Sequence, residues 1–199
     1  YAQHLADPTH ATAPADELLQ QTLKSVDYKQ ISLGTQRIEF LVPGMQITLN
    51  GIAQGYITDR VTELLRQAGL ERVLVNMGEI RGLDLLQQAE PWRVGIRSPH
   101  DDKAQLTHIA LRNEAIATSA GSGTPLDAAG RITHLFNPLT GLSTPLYQSV
   151  SVIAEDATTA DALSTAFSLM PLDKVQAIAK SLANVQVILL MQDNTLVRV

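Results

Sequence analysis

The sequence predicts an α+β fold in which helices pack on a mostly antiparallel or mixed β-sheet, because strand patterns outnumber helix patterns and most neighbouring strands are joined by short turns. Alternating or short apolar runs between turn residues predict strands over residues 28–33, 37–42, 72–77, 92–97, 106–111, 114–119, 131–136, 149–154, 185–191 and 195–199, and one ending at Leu49. Helical spacing of apolar residues predicts helices over 16–26, from the mid-fifties to Gly69, over 158–170 and over 172–182.

Length and composition exclude several classes of protein. The 199 residues are 45% hydrophobic and 18% charged, which predicts one domain with one sizeable core. The net charge is -5 and the basic residues are scattered, so a nucleic-acid-binding surface is not expected. No apolar run approaches the roughly 20 residues that cross a bilayer, and no export signal is present in these residues. Cysteine is absent, which excludes disulfides, thiolate metal sites and cysteine nucleophiles.

A glycine-containing turn leads into the second helix. Asn50-Gly51-Ile52-Ala53-Gln54-Gly55-Tyr56 carries two glycines four residues apart and no bulky side chain between Ile52 and Tyr56. Glycine lets a ligand approach the main chain closely, and unpaired N–H groups at the start of a helix favour phosphate. The pattern predicts a site for a phosphorylated ligand, with a tight turn that binds nothing as the alternative.

A second group of polar residues lies on the helix predicted after Ala154. Asp161 and Thr165 are four residues apart and therefore share a face, whereas Leu163, Phe167 and Met170 lie on the opposite face toward the core. A carboxylate and a hydroxyl one turn apart are hard oxygen donors suited to Mg²⁺. The alternative is a solvated polar face.

Two further segments have candidate functional residues. His134 alternates with Ile132 and Phe136, which places it either on a buried strand face or in a site. The segment 117–123 is rich in small residues and hydroxyls, including Thr118 and Ser119, and fits a ring or phosphate edge or else a flexible loop. No paired-histidine spacing is present, so a zinc enzyme is not expected.

The order of these motifs resembles the ApbE family, the Mg²⁺-dependent FAD:protein FMN transferases. The resemblance rests on Asn-Gly-Ile-Ala-Gln-Gly-Tyr, then Asn76-Met77-Gly78-Glu79, Ala117-Thr118-Ser119, the segment from His134 to Gly141, and Asp161-Ala162-Leu163-Ser164-Thr165. The sequences of these motifs are similar to those of the NosX-type branch, which is associated with nitrous-oxide reduction. The resemblance implies an ApbE, T-fold-like domain over 1–199 that lacks the family's N-terminal segment.

The resemblance also implies roles for individual residues. The Ala53 carbonyl, Asp161 and Thr165 would bind the metal, and His134 and Asp161 would be catalytic, either of them as the base. The FAD site would be lined by Asn50, Gly51, Ile52, Ala53, Gln54, Gly55, Gly78, Glu79, Thr118, Ser119 and His134. The sequence departs from the family at Gln54, where lysine is usual, at Asn137, where aspartate is usual, at Asn50, which replaces a glycine, and at Gly78-Glu79, which is one glycine short.

The implied activity is a flavin transfer with FAD and one acceptor protein as partners. FMN would pass from FAD to a threonine hydroxyl of an acceptor flavoprotein, NosR-like in the implied branch, with release of AMP and with Mg²⁺ as cofactor. The family implies a periplasmic location. Two alternatives remain open: a non-catalytic module that binds FAD or another nucleotide, and a structural accessory protein that docks on a membrane redox complex.

Overall fold

The computed structural model describes residues 16–99, 101, 104–121, 126, 132–143 and 145–199. These residues fall into two compact units. The first contains residues up to Thr48 together with the described residues between 122 and 144, and the second contains Leu49–Gly121 and Pro145–Val199. That residues 1–199 form one family domain stays a prediction.

Among its described residues, the first unit has an α-helix, a 3-10 helix and a small hairpin. Helix α1 spans Asp16–Leu23, three residues shorter than predicted. A short 3-10 helix over Tyr28–Gln30 replaces the start of the next predicted strand, because the Asp27 side chain accepts the N–H of Lys29 and begins a helical turn there. Strands β1 (Ile31–Leu33) and β2 (Ile38–Phe40) then pair antiparallel, which confirms the predicted hairpin.

The second unit is built on a six-stranded antiparallel sheet. Its strand order is β10-β9-β8-β7-β4-β3, where the strands span Arg72–Asn76 (β3), Ile80–Asp84 (β4), Ala115–Ser119 (β7), Tyr147–Ala154 (β8), Gln186–Met191 (β9) and Leu196–Arg198 (β10). Strands β5 (Trp92–Arg97) and β6 (Gln105–Leu111) form a separate antiparallel pair. Together with the helices, these antiparallel sheets confirm the α+β prediction.

Helices α2 (Ala53–Gln67), α3 (Ala157–Ser168) and α4 (Leu172–Ser181) complete the second unit. Alternate residues of β8 pack on opposite sides of the sheet. Val150 and Val152 join the cluster around Phe167 of α3, whereas Ile153 joins the cluster formed with the β5–β6 pair. Phe167 is fully buried and Leu163 and Met170 pack against the same cluster, so the predicted core face of α3 is confirmed.

Helix α2 buries a different face from the one its apolar residues occupy. Its buried side chains are those of Thr58 and Thr62, together with Gly55, while Ile57 and Leu64 are exposed. Each buried threonine hydroxyl donates to the carbonyl four residues earlier, so burial leaves neither of them unpaired. The helix ends as predicted: Gly69 has φ +89, and the N–H groups of Gly69 and Leu70 close the last turn.

Two strand predictions were wrong, and one strand was not predicted. Residues 45–49 form no strand, and Leu49 remains exposed. In the predicted strand over 131–136, Thr133 makes only an isolated bridge; Arg131 lies outside the described residues. Strand β4 was not predicted because Gly82 interrupts its apolar pattern. A Cβ at Gly82 would lie 2.9 Å from the Arg112 carbonyl oxygen, so close packing requires the glycine.

The described helices include none with the length and apolar character that a bilayer crossing would need.

Candidate functional site

Helices α2 and α3 meet at Gly55. A Cβ on Gly55 would lie 2.2 Å from the carbonyl oxygen of Ala157 and 2.8 Å from Cβ of Asp161, so only glycine allows this approach. The Gly55 N–H donates to Oδ2 of Asp161 at 2.9 Å, across 106 positions of sequence. The contact therefore brings the start of α2 to a buried carboxylate that is 6% exposed.

The turn before α2 lies along the same face of α3. A Cβ on Gly51 would lie 3.2 Å from Cγ2 of Thr165 and 3.5 Å from its Oγ1. Ala53 stands between the two glycines that touch α3, and Asn50 and Ile52 are exposed at the turn. The structure thus brings together the turn, Asp161 and Thr165, as expected if they share a site.

Glu79 places a second buried carboxyl group beside Asp161. It lies in the turn before β4, is 8% exposed, and accepts a hydrogen bond from the Thr118 backbone N–H. Burial and the charge of Asp161 raise the pKa of Glu79 to about 7. Burial also raises the pKa of Asp161, although the hydrogen bond from Gly55 opposes this. A bound cation would favour the charged form of both groups.

The oxygen atoms around this acid pair suit a magnesium ion. Carboxylate, hydroxyl and carbonyl oxygens are the ligands that Mg²⁺ prefers, and it commonly needs only one or two protein carboxylates beside substrate phosphates. Nowhere in the described part of the chain do three or more His, Cys, Asp or Glu residues form a group placed to hold a metal. The donor set thus fits Mg²⁺ with substrate oxygens and does not resemble an all-protein cage.

Hydroxyl groups at the end of β7 contact α3. Oγ of Ser119 lies 2.7 Å from Oγ of Ser164 and 3.2 Å from Oγ1 of Thr165. On the other face of the strand, Oγ1 of Thr118 lies 2.8 Å from Oγ of Ser151. The predicted residues Thr118 and Ser119 therefore end the strand next to the helix that carries Asp161. Ser164 was not predicted as a site residue, because only the contact between β7 and α3 brings its hydroxyl next to Ser119.

Gln54 covers the turn between β3 and β4. Gly78 has φ +105, and a Cβ there would lie 2.2 Å from Nε2 of Gln54. The same nitrogen donates to the Met77 carbonyl at 3.4 Å. Gln54 and Gly78 are thus in contact. The resemblance to the ApbE family implies that both line one binding site.

Asp59 connects the two helices at a second point. Its carboxylate accepts the N–H groups of Ala157 at 2.9 Å and Thr158 at 2.8 Å, as well as the Thr158 hydroxyl, and it pairs with Arg81. Burial would raise the pKa of Asp59, but the hydrogen bonds from Thr158 and Ala157 and the charge of Arg81 outweigh it and lower the pKa. Asp59 was not predicted from the sequence, although it lies one helical turn after Gly55.

Comparison with known proteins agrees with this geometry. The sequence model described as the ApbE family matches residues 3–189. The chain belongs to the ApbE family.

Relatives in the ApbE family are longer than this chain. The FAD:protein FMN transferase of Treponema pallidum is 29% identical over 92% of this chain and 56% of that protein. The one of Salmonella typhimurium is 28% identical over 87% of this chain and 51% of that protein. The chain therefore spans about half the length of these curated relatives.

Solved structures of ApbE proteins share the fold. The ApbE protein of Thermotoga maritima has a TM-score of 0.85 and is 28% identical, with 96% of this chain and 64% of that chain covered. The flavin transferase ApbE of Vibrio cholerae has a TM-score of 0.80 and is 25% identical, with 100% of this chain and 65% of that chain covered.

The segment of the ApbE histidine motif lies in the first unit. His134 is exposed, which contradicts the alternative of a buried strand face, whereas its role in a site stays a prediction; Thr133 is the buried residue, and its hydroxyl lies 2.9 Å from Oγ of Ser143. Oδ1 of Asn137 accepts the Leu139 N–H at 2.9 Å, and the Asn137 carbonyl accepts the Gly141 N–H at 2.7 Å. The asparagine side chain makes the turn hydrogen bond that an aspartate could also make.

Proposed function

We propose that this chain belongs to a flavin transferase that moves FMN from FAD to a threonine hydroxyl of an acceptor flavoprotein and releases AMP. Two relatives are named FAD:protein FMN transferases, and this chain matches about half the length of each. Their names support this class of reaction. The observation that carries the proposal is the hydrogen bond between Gly55 and Asp161, because it joins a turn suited to phosphate to a buried acid pair.

The metal and the flavin would bind at the start of α2. Asp161, Thr165 and the Ala53 carbonyl would hold Mg²⁺, which supplies positive charge to offset the charge that develops on the phosphoryl oxygens. The backbone of residues 50–55 would lie along the pyrophosphate. Gly78, Glu79, Thr118 and Ser119 would line the same site, with Gln54 over the turn at Gly78.

The transfer exchanges one phosphorus–oxygen bond for another. The threonine oxygen of the acceptor forms a bond to the FMN-side phosphorus, and the bond from that phosphorus to the bridging oxygen breaks. AMP leaves with the bridging oxygen, and FMN stays on the threonine as a phosphoester. The hydroxyl proton passes to a base, for which His134 and Asp161 are the two candidates. Exposure of His134 supports its availability to a substrate.

The acceptor and the compartment are finer parts of the proposal. The amino-acid sequences of residues 50–56 and 118–124 resemble the NosX-type branch, which supports a NosR-like acceptor in nitrous-oxide reduction. Such an acceptor would place the reaction in the periplasm. A non-catalytic FAD-binding module is the second candidate, favoured by Gln54 where the family usually carries a lysine near the phosphates.

The experiment combines the protein with FAD, Mg²⁺ and an acceptor fragment that carries the flavinylation threonine. Covalent flavin on the acceptor together with free AMP supports the transferase. Bound FAD without transfer supports the binding module, and no FAD binding leaves the structural accessory role. An acceptor with that threonine changed to alanine is the matched control, and it should remain unlabelled.

A further inference from the structure

We propose that Asp59 is a positioning residue for the cation site, because it holds the first turn of α3 against α2 and so sets where Asp161 stands relative to the Ala53 carbonyl. This inference rests on the proposed function. Asp59 itself would touch neither the metal nor FAD, and it would act through the helix that carries Asp161.

The two helices are joined by reciprocal contacts. Near the start of α2, the Gly55 N–H donates to Asp161 of α3. At the start of α3, the N–H groups of Ala157 and Thr158 donate to Asp59 of α2. Gly55 and Asp59 are four residues apart, as are Ala157 and Asp161, so both contacts lie on the facing sides of the helices. Each helix thus satisfies N–H groups of its first turn with a carboxylate of the other.

These contacts limit both how closely α2 and α3 can approach and how far they can separate. At Gly55 the backbones touch, which stops the helices from approaching further. Asp59 prevents them from separating, and Arg81 of β4 holds the same carboxylate from the sheet side. Loss of the Asp59 carboxylate leaves the Gly55–Asp161 hydrogen bond between α2 and α3, while Asp156 still caps α3 from within its own chain segment. Asp161 would then lose its fixed position, and metal sites depend on ligands held to within about 0.5 Å.

A neighbouring acid provides a matched control. Asp84 is 1% exposed, and its Oδ2 lies 2.8 Å from Nη1 of Arg112, so, like Asp59, it is an acid paired with an arginine of the same unit. It ends β4, whereas Glu79 precedes that strand. Asp84→Asn should lower stability through a lost ion pair without touching the contact between α2 and α3.

The test measures binding of Mg²⁺ alone by calorimetry, on the full chain, at a temperature where all variants are folded by circular dichroism. Asp59→Asn should weaken Mg²⁺ binding by roughly tenfold to a hundredfold, as changes to groups that orient metal ligands typically do. Asp84→Asn should bind Mg²⁺ within about twofold of the wild type, which separates positioning from a general loss of stability.

Each remaining outcome decides a separate point. Wild-type Mg²⁺ binding with unchanged affinity in Asp59→Asn overturns this inference and leaves the proposed function standing. No Mg²⁺ binding by the wild type, either alone or in a second titration with saturating FAD, overturns the metal part of the proposed function and this inference with it. If Asp59→Asn does not fold, Thr158→Val removes only one donor to Asp59. That variant should bind Mg²⁺ a few-fold more weakly, and unchanged binding would again overturn the inference.

Discussion

Glu79→Gln is expected to stabilise the metal-free protein at pH 8 and to change its stability little at pH 4. Burial and Asp161 raise the pKa of Glu79 from 4.5 to about 7. The folded state therefore binds the proton more tightly than the unfolded chain. The stability that the protonated carboxyl contributes is fully present below pH 4.5 and is lost as the pH rises to about 7.

The size of this effect follows from the pKa. At 1.36 kcal/mol for each pH unit, the full difference corresponds to about 3 kcal/mol at pH 8. Solvent screening and the linked ionisation of Asp161 reduce this to about 1 to 2 kcal/mol. Glutamine keeps the shape of the side chain without the charge, so the variant should avoid most of that loss.

The assay is urea unfolding at pH 4, 6 and 8 in the presence of a chelator. The difference between variant and wild type should grow with pH, whereas the exposed Glu71→Gln should show no such growth. Parallel stability curves for the wild type and Glu79→Gln would refute the reasoning that burial and the charge of Asp161 raise the pKa of Glu79. Added Mg²⁺ should restore the wild type at pH 8 more than it affects Glu79→Gln.

Three further substitutions test other parts of the structure. Gly55→Ala should destabilise the protein by about 1 to 3 kcal/mol or more in urea unfolding, because its Cβ would meet the Ala157 carbonyl; wild-type stability would contradict the helix contact. Asp59→Asn should cost about 1 to 3 kcal/mol at pH 7 and progressively less below pH 3.8, since the lowered pKa of Asp59 stabilises the folded state only above that range; a constant difference down to pH 2 would be evidence against it. Phe167→Ala should cost about 3 to 5 kcal/mol by the same assay, and a loss under 1 kcal/mol would show that the side chain is not in the core.

Much of the fold follows from local patterns. The apolar face of α3 predicts the buried Phe167, and Gly69 predicts the end of α2. The buried face of α2 could not be predicted in this way. Close contact with α3 requires glycine at position 55, and the buried threonines of α2 pair their hydroxyls within the helix, so the buried face differs from the helix's own apolar stripe. Strand β4 was missed for a related reason, since Gly82 is required by packing and weakens the strand pattern.

The candidate site was only partly accessible from the sequence. The four-residue spacing of Asp161 and Thr165 predicted that they share one helix face. The two glycines in residues 50–55 predicted a turn that a ligand could approach closely. That the turn and the helix belong to one site came from the resemblance to the ApbE family. The pairing of Glu79 with Asp161 depends on the packing of β7 and α3, which no local pattern encodes. Strand alternation could not decide between a buried and a site position for His134, because residues 132–136 do not form a regular strand.

The most direct test of a cation site shared by α2 and α3 replaces Mg²⁺ with paramagnetic Mn²⁺ and follows the backbone amide resonances by NMR. One equivalent of Mn²⁺ should broaden the amides of Ala53, Gly55, Asp161 and Thr165 together, and Mg²⁺ should reverse the effect by competition. In Asp161→Asn the same addition should leave these four amides sharp. Broadening of the turn without α3, or of neither, would contradict the claim that a single cation is shared by the two helices.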